Sequence, residues 1–129
     1  LKKYIPAELQ KKQEGCLDIK TGMQYCGNSA EVYLEMLTMF CNSMEEKRKK
    51  LDESLEAEEF DQYIIHIHAL KSASLSIGGK IVSREAAELE KAGKQGKYDT
   101  IREKHKQVMH LYELTAAEAE KYLQLKNRG

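Results

Sequence analysis

The chain has 129 residues, one domain's worth and enough for a core without disulfide or metal staples. Lys plus Arg equals Asp plus Glu at 21 each, and this zero formal charge argues against a nucleic-acid binder, which needs a basic excess. A single proline and abundant Ala, Leu, Glu and Lys favour an all-α chain; no apolar run approaches the roughly 20 residues of a membrane span, and no signal peptide is visible.

In chain order, residues 1–17 are polar, contain Pro6 and read as a linker or a short helix. The bundle proper is expected over 18–125. Asp18 to Cys26 predicts a brief helix closed by Gly27. Asn28 with Glu31 makes an Asn-x-x-Glu capping box, and a long helix should follow from about Ser29 to Glu56. Its apolar stripe is Tyr33, Met36, Leu37, Phe40, Met44, Leu51 and Leu55, at helical spacing. The basic run Lys47 to Lys50 is flanked by acidic residues and reads as a solvated face.

The next helix is predicted from about Glu59 to Ile77, broken by Gly78-Gly79. Another follows to about Gln95, with Val82, Ala86 and Leu89 inward and Gly96 as its C-cap. The last begins near Asp99 or Thr100, where Thr100 and Glu103 form a second capping box. Its stripe is Ile101, His105, Val108, Tyr112 and Thr115, continuing to Ala119 and Tyr122. Four amphipathic helices joined by short turns predict an antiparallel up-down four-helix bundle, with one or two short extra helices at the N-terminus.

Cys16, Cys26 and Cys41 are odd in number, widely spaced and without a CxxC pair, so they read as reduced thiols of a cytoplasmic protein. The five methionines read as core filler. The start at Leu1 rather than Met suggests a piece of a longer protein or a tagged chain.

The helix over 59–77 carries the chemistry. At 100° per residue, Phe60, Tyr63, Ile64, Ile67, Leu70, Ser74 and Ile77 share one arc, the core face. His68 lies about 120° from the centre of that arc, on the exposed side, with Lys71 one turn later on the same flank. Ile65, Ala69, Ser72, Leu75 and Ser76 make up the rest of the exposed arc. In a chain with 33% charged residues, a merely solvated face should carry Glu and Lys there. A small and apolar surface around one histidine is the pattern of a docking site. His66 lies about 160° away from His68, so the two cannot share a metal from one helix. His105 reads as core-edge and His110 as surface.

The stretch His68-Ala69-Leu70-Lys71-Ser72-Ala73-Ser74-Leu75-Ser76-Ile77-Gly78 resembles the signature of the histidine-containing phosphotransfer (HPt) family, His-x-Leu-Lys-[Gly/Ser] with Gly ten residues after the His. Asp18 to Tyr25, Tyr33-Leu34 and Ala86 to Gly93 are similar to HPt domains at the C-termini of bacterial hybrid sensor kinases. Ser72 and Gly79 stand where many members have Gly and Ala, both small replacements.

The resemblance implies that His68 accepts a phosphoryl group from a receiver aspartate and passes it to a response regulator. A neutral imidazole suits that role at cell pH. Lys71 would balance the negative charge of the transferred group. Ser72 and Gly78 would keep the approach open, completing a receiver-docking face of Ile65, Ala69, Ser72, Leu75, Ser76 and Gly78. Several members orient the imidazole with Glu or Gln on the next helix. Positions 68 and 90 are equidistant from the turn at 79, which points to Glu90, with Glu88 and Arg84 as alternatives.

No cofactor is implied for this chain; Mg²⁺ belongs to the receiver partner. The expected partners are receiver domains, with no nucleic acid and no direct membrane contact, and the domain should be monomeric. It is not expected to be an enzyme alone, since no Gly-rich nucleotide loop is present. The expected place is the cytoplasm, alone or as part of a membrane-bound sensor kinase. The competing reading is a passive helical interaction or dimerisation module whose histidine is incidental.

Overall fold

The computed structural model describes residues 16–128, so the expectation for residues 1–15 lies outside the described residues. Five helices are present among the described residues and no strand. They are α1 (Ile19–Tyr25), α2 (Ala30–Glu56), α3 (Phe60–Ser76), α4 (Lys80–Lys94) and α5 (Tyr98–Arg128). The four long helices pack as neighbours in chain order, and α5 closes the ring against α2, giving the up-down bundle. At 1.5 Å per residue, α2 and α5 run about 40 and 46 Å, nearly twice the length of α3 and α4. The short α1 contacts α2 and α3.

Side-chain caps fix the starts of α1 and α2, whereas α3 and α4 begin without one. Asp18 caps α1 by accepting from the Thr21 N–H at 3.1 Å, and its carboxylate also meets Lys80 Nζ at 2.9 Å. These hydrogen bonds, from Lys80 first and then Thr21, hold its carboxyl down at about 2. Ser29 caps α2, its hydroxyl accepting from the Val32 N–H at 3.2 Å. That corrects the Asn28 cap: Asn28 has φ 61° and belongs to the left-handed turn after Gly27. The start of α5 is also corrected. The helix begins at Tyr98, which leaves Thr100 and Glu103 inside it. The Tyr98 ring stacks on Phe60 of α3 with centroids 3.8 Å apart, and this contact holds the first turn ahead of the capping pattern. At the end of α4 the C-cap is Gln95, with Gly96 immediately after it.

The core follows the predicted stripes. Tyr33, Leu37, Phe40 and Leu51 of α2 are buried against Tyr63, Ile67 and Leu70 of α3, Val82, Ala86 and Leu89 of α4, and Ile101, Val108 and Tyr112 of α5. Phe40 and Tyr112 meet edge to face at 5.4 Å. Met39 departs from the core-filler reading, since it is 65% exposed, whereas Met109 is buried and Met23, Met36 and Met44 pack on the core.

Two devices set how α3 lies on α4. The Ser83 hydroxyl donates to the Lys71 carbonyl at 2.9 Å, tying the middle of α3 to the start of α4. Gly93 allows close approach near the other end, where a Cβ would sit 2.7 Å from Ile64 Cγ1. Together they fix the level at which side chains of the two helices meet.

Candidate functional site

His68 stands on the outer side of α3 with its side chain 57% exposed. Glu90 reaches it from α4, and its side chain is only 6% exposed. His68 Nδ1 and Glu90 Oε2 are 2.7 Å apart. Lys71 Nζ donates to Glu90 Oε1 at 2.6 Å, and Lys94 Nζ lies 3.1 Å from Oε2. One buried carboxylate thus gathers an imidazole and two ammonium groups from two helices.

The charge state of Glu90 decides the tautomer of His68. Burial pushes the Glu90 carboxyl upward, but hydrogen bonds from Lys71, Lys94 and His68 outweigh it and leave the group at about 2. An ionised carboxylate only accepts, so Nδ1 must donate its N–H. The lone pair of a neutral ring is then on Nε2, which has no hydrogen-bond partner among the described residues and belongs to a side chain that is 57% exposed. This leaves an imidazole with one nitrogen held and the other open.

The remaining sequence candidates divide. Glu88 and Arg84 are exposed and make no hydrogen bond or ion pair with His68, so the hairpin arithmetic selects Glu90. Ile65 is 59% and Leu75 37% exposed, and Ala69 and Ser72 are exposed beside them. Ser76 is half-buried, its hydroxyl donating to the Ala73 carbonyl at 2.7 Å. Gly78 is not on this face and is a correction. It is buried at φ 87°, its carbonyl accepts from the Asp18 N–H at 2.8 Å, and a Cβ there would lie 1.9 Å from the Asp18 carbonyl oxygen. Its small size seats α1 on the α3–α4 turn rather than clearing a path to His68.

Sequence reasoning missed Lys94, although its spacing four residues after Glu90 was a usable signal. It also placed His105 at the core edge. The ring is instead buried, with Nδ1 2.8 Å from the Tyr63 hydroxyl and Nε2 2.6 Å from Asp52 Oδ1. His66 is half-buried and His110 exposed. No cluster of three or more His, Cys, Asp or Glu suited to a metal occurs among the described residues. No helix of the described residues is long and apolar enough to cross a membrane.

The family model for the Hpt domain matches residues 35–118, about two thirds of the chain and the whole of the site. The chain belongs to the Hpt domain family. Hpt domains are phosphotransfer carriers of two-component signalling that interact with receiver domains. The fold of this Hpt domain is similar to the crystal structure of the HPT domain from the Hpt sensor hybrid histidine kinase of Shewanella, with a TM-score of 0.80. The match covers 86% of this chain and 96% of that one at 20% identity, a likeness of fold. No curated protein matches the chain.

Proposed function

We propose that this Hpt domain is a phosphorelay carrier in which His68 Nε2 takes a phosphoryl group from a receiver aspartyl phosphate and passes it to a response regulator. The observation that carries this reading is the Nδ1–Glu90 hydrogen bond beside an open Nε2. In the forward step the Nε2 lone pair forms the N–P bond as the aspartyl O–P bond breaks. The aspartate leaves as a carboxylate, and the ring becomes an imidazolium whose Nδ1 keeps its proton and donates it in the hydrogen bond to Glu90. A held carboxylate of this kind acts by being in place before the positive charge develops on the ring.

Lys71, one helical turn from His68 on the same helix, supplies a cation for the phosphoryl oxygens. The exposed Ile65, Ala69, Ser72 and Leu75, with half-buried Ser76, form a face on which a receiver docks. Mg²⁺ acts in the receiver. The domain extends over 18–125 and works in the cytoplasm, alone or within a hybrid kinase.

The test is to mix the domain with a phosphorylated receiver and look for acid-labile, base-stable label. Label on His68 is expected, and Lys71→Ala should slow its arrival without unfolding the bundle. An unlabelled domain would favour a passive interaction module.

A further inference from the structure

Glu90 has more positive partners than its one negative charge requires, and they are not equivalent. Lys94 sits on α4 with Glu90, four residues on, and shares Oε2 with the imidazole. Lys71 sits on α3 with His68 and holds Oε1 alone. In the reacting form, whose Nε2 lone pair is free, the two lysines carry the positive charge facing Glu90. Phosphorylation changes this balance. When the aspartyl phosphate's O–P bond breaks and N–P forms at Nε2, the aspartate leaves as a carboxylate and the ring gains a positive charge beside Glu90 Oε2. The same step places a dianionic phosphoryl group on the exposed side of α3, where Lys71 is anchored.

From this charge accounting we propose that Lys71 and Lys94 divide the work at Glu90, Lys94 staying with the buried carboxylate while Lys71 leaves it for the phosphoryl oxygens. The inference rests on the phosphotransfer reading and adds a positioning residue, Lys94, outside the His-x-Leu-Lys stretch. Glu90 is never stripped of cations in this exchange: the new imidazolium replaces Lys71, and Lys94 holds Oε2 throughout. Without Lys94, departure of Lys71 would leave the buried carboxylate only the exposed imidazolium, so Lys71 is held back at Oε1. Losing Lys94 should therefore cost the same contact as losing Lys71, the one between Lys71 and the phosphoryl group.

The exchange makes a prediction about pairs of substitutions that simple electrostatic help does not. The experiment loads the whole domain from a phosphorylated receiver and compares transfer rates for wild type, Lys71→Ala, Lys94→Ala, Lys94→Arg and the double alanine variant. Lys94 is 64% exposed, so Lys94→Ala should slow transfer about threefold, in the range of exposed ion pairs, and Lys71→Ala, at 32% exposure, at least as much. The double variant should be no slower than Lys71→Ala, and Lys94→Arg should restore the wild-type rate.

A second readout separates positioning from mere stability. In side-chain ¹⁵N spectra the Lys71 ammonium signal should shift on phosphorylation of the wild type and stay unmoved in Lys94→Ala. Losses that multiply in the double variant would overturn the exchange in favour of two independent cations. A wild-type rate in Lys94→Ala, or a Lys71 signal that ignores phosphorylation, would overturn it as well. These outcomes all require a labelled wild type; if the wild type takes no label, the phosphotransfer reading itself fails and the exchange with it.

Discussion

The bundle holds two histidine–carboxylate pairs of almost the same length, and they are built in opposite senses. At His68 the carboxylate is buried and the imidazole exposed: Glu90 is 6% and His68 57% accessible. At His105 the imidazole is buried and the carboxylate open, at 10% and 50% for His105 and Asp52. The separations, 2.7 and 2.6 Å, do not distinguish them. The second nitrogen does. His105 gives Nε2 to Asp52 and Nδ1 to the hydroxyl of Tyr63, whose own ionisation is pushed far up, first by burial and then by Asp52. Asp52, Tyr63 and His105 belong to α2, α3 and α5, so this second site ties three helices and leaves no nitrogen for chemistry. A carboxylate beside a histidine thus orients a ring; whether the ring can react depends on what its other nitrogen meets.

The largest expected effect compares the two rings directly. His68→Gln should abolish phosphoryl labelling from a phosphorylated receiver, while His105→Gln should keep it and lose melting temperature instead. His66→Gln should keep most of the label. Label lost with His105 or His66 and retained with His68→Gln would reverse the assignment.

A second substitution closes the open nitrogen from outside. Ser72 is exposed one turn from His68, so Ser72→Trp should leave melting near wild type but cut transfer by about tenfold or more, some 1.4 kcal/mol in the barrier. Wild-type transfer in this variant would place the docking surface elsewhere.

The third opens the closed nitrogen. Tyr63→Phe removes the donor to His105 Nδ1 and should cost about 1–3 kcal/mol of stability, read from denaturant or thermal unfolding. It should add no phosphoryl label, because the freed nitrogen remains buried. New label on His105 would show that hydrogen bonding alone, and not burial, had silenced it.

The smallest effect is in acid. Glu90 titrates at about 2 in the folded domain against an ordinary 4.5. A carboxyl lowered by folding contributes its stability above the unfolded value and loses it as pH falls through the folded one. Unfolding free energy should therefore decline between about pH 5 and 2, and Glu90→Gln should remove that part of the slope. An identical acid slope in the variant would mean that Glu90 is not held ionised by its cations.

The bundle was legible because its four long helices carry apolar stripes that tertiary packing then used as they stood. Glu90 was legible for a similar reason: α3 and α4 are antiparallel and joined by a tight turn, so counting residues from that turn measures distance along both axes. Gly78 was misread because its spacing from His68 says nothing of α1, which packs on the turn from elsewhere in the chain. The start of α5 was set by Phe60 and Tyr98, distant in sequence, rather than by Thr100 and Glu103 beside it. The Asp52–Tyr63–His105 chain depends on the relative rotation of three helices, which periodicity alone does not fix.

If Glu90 holds Nδ1 of His68, the phosphoryl group must be on Nε2. Its position can be read directly from ¹⁵N and ³¹P NMR of the isotopically labelled domain after loading from a phosphorylated receiver. Phosphorus bonded to Nε2 of His68 is expected, with Nδ1 still protonated. Phosphorus on Nδ1, or on any other histidine, would contradict it.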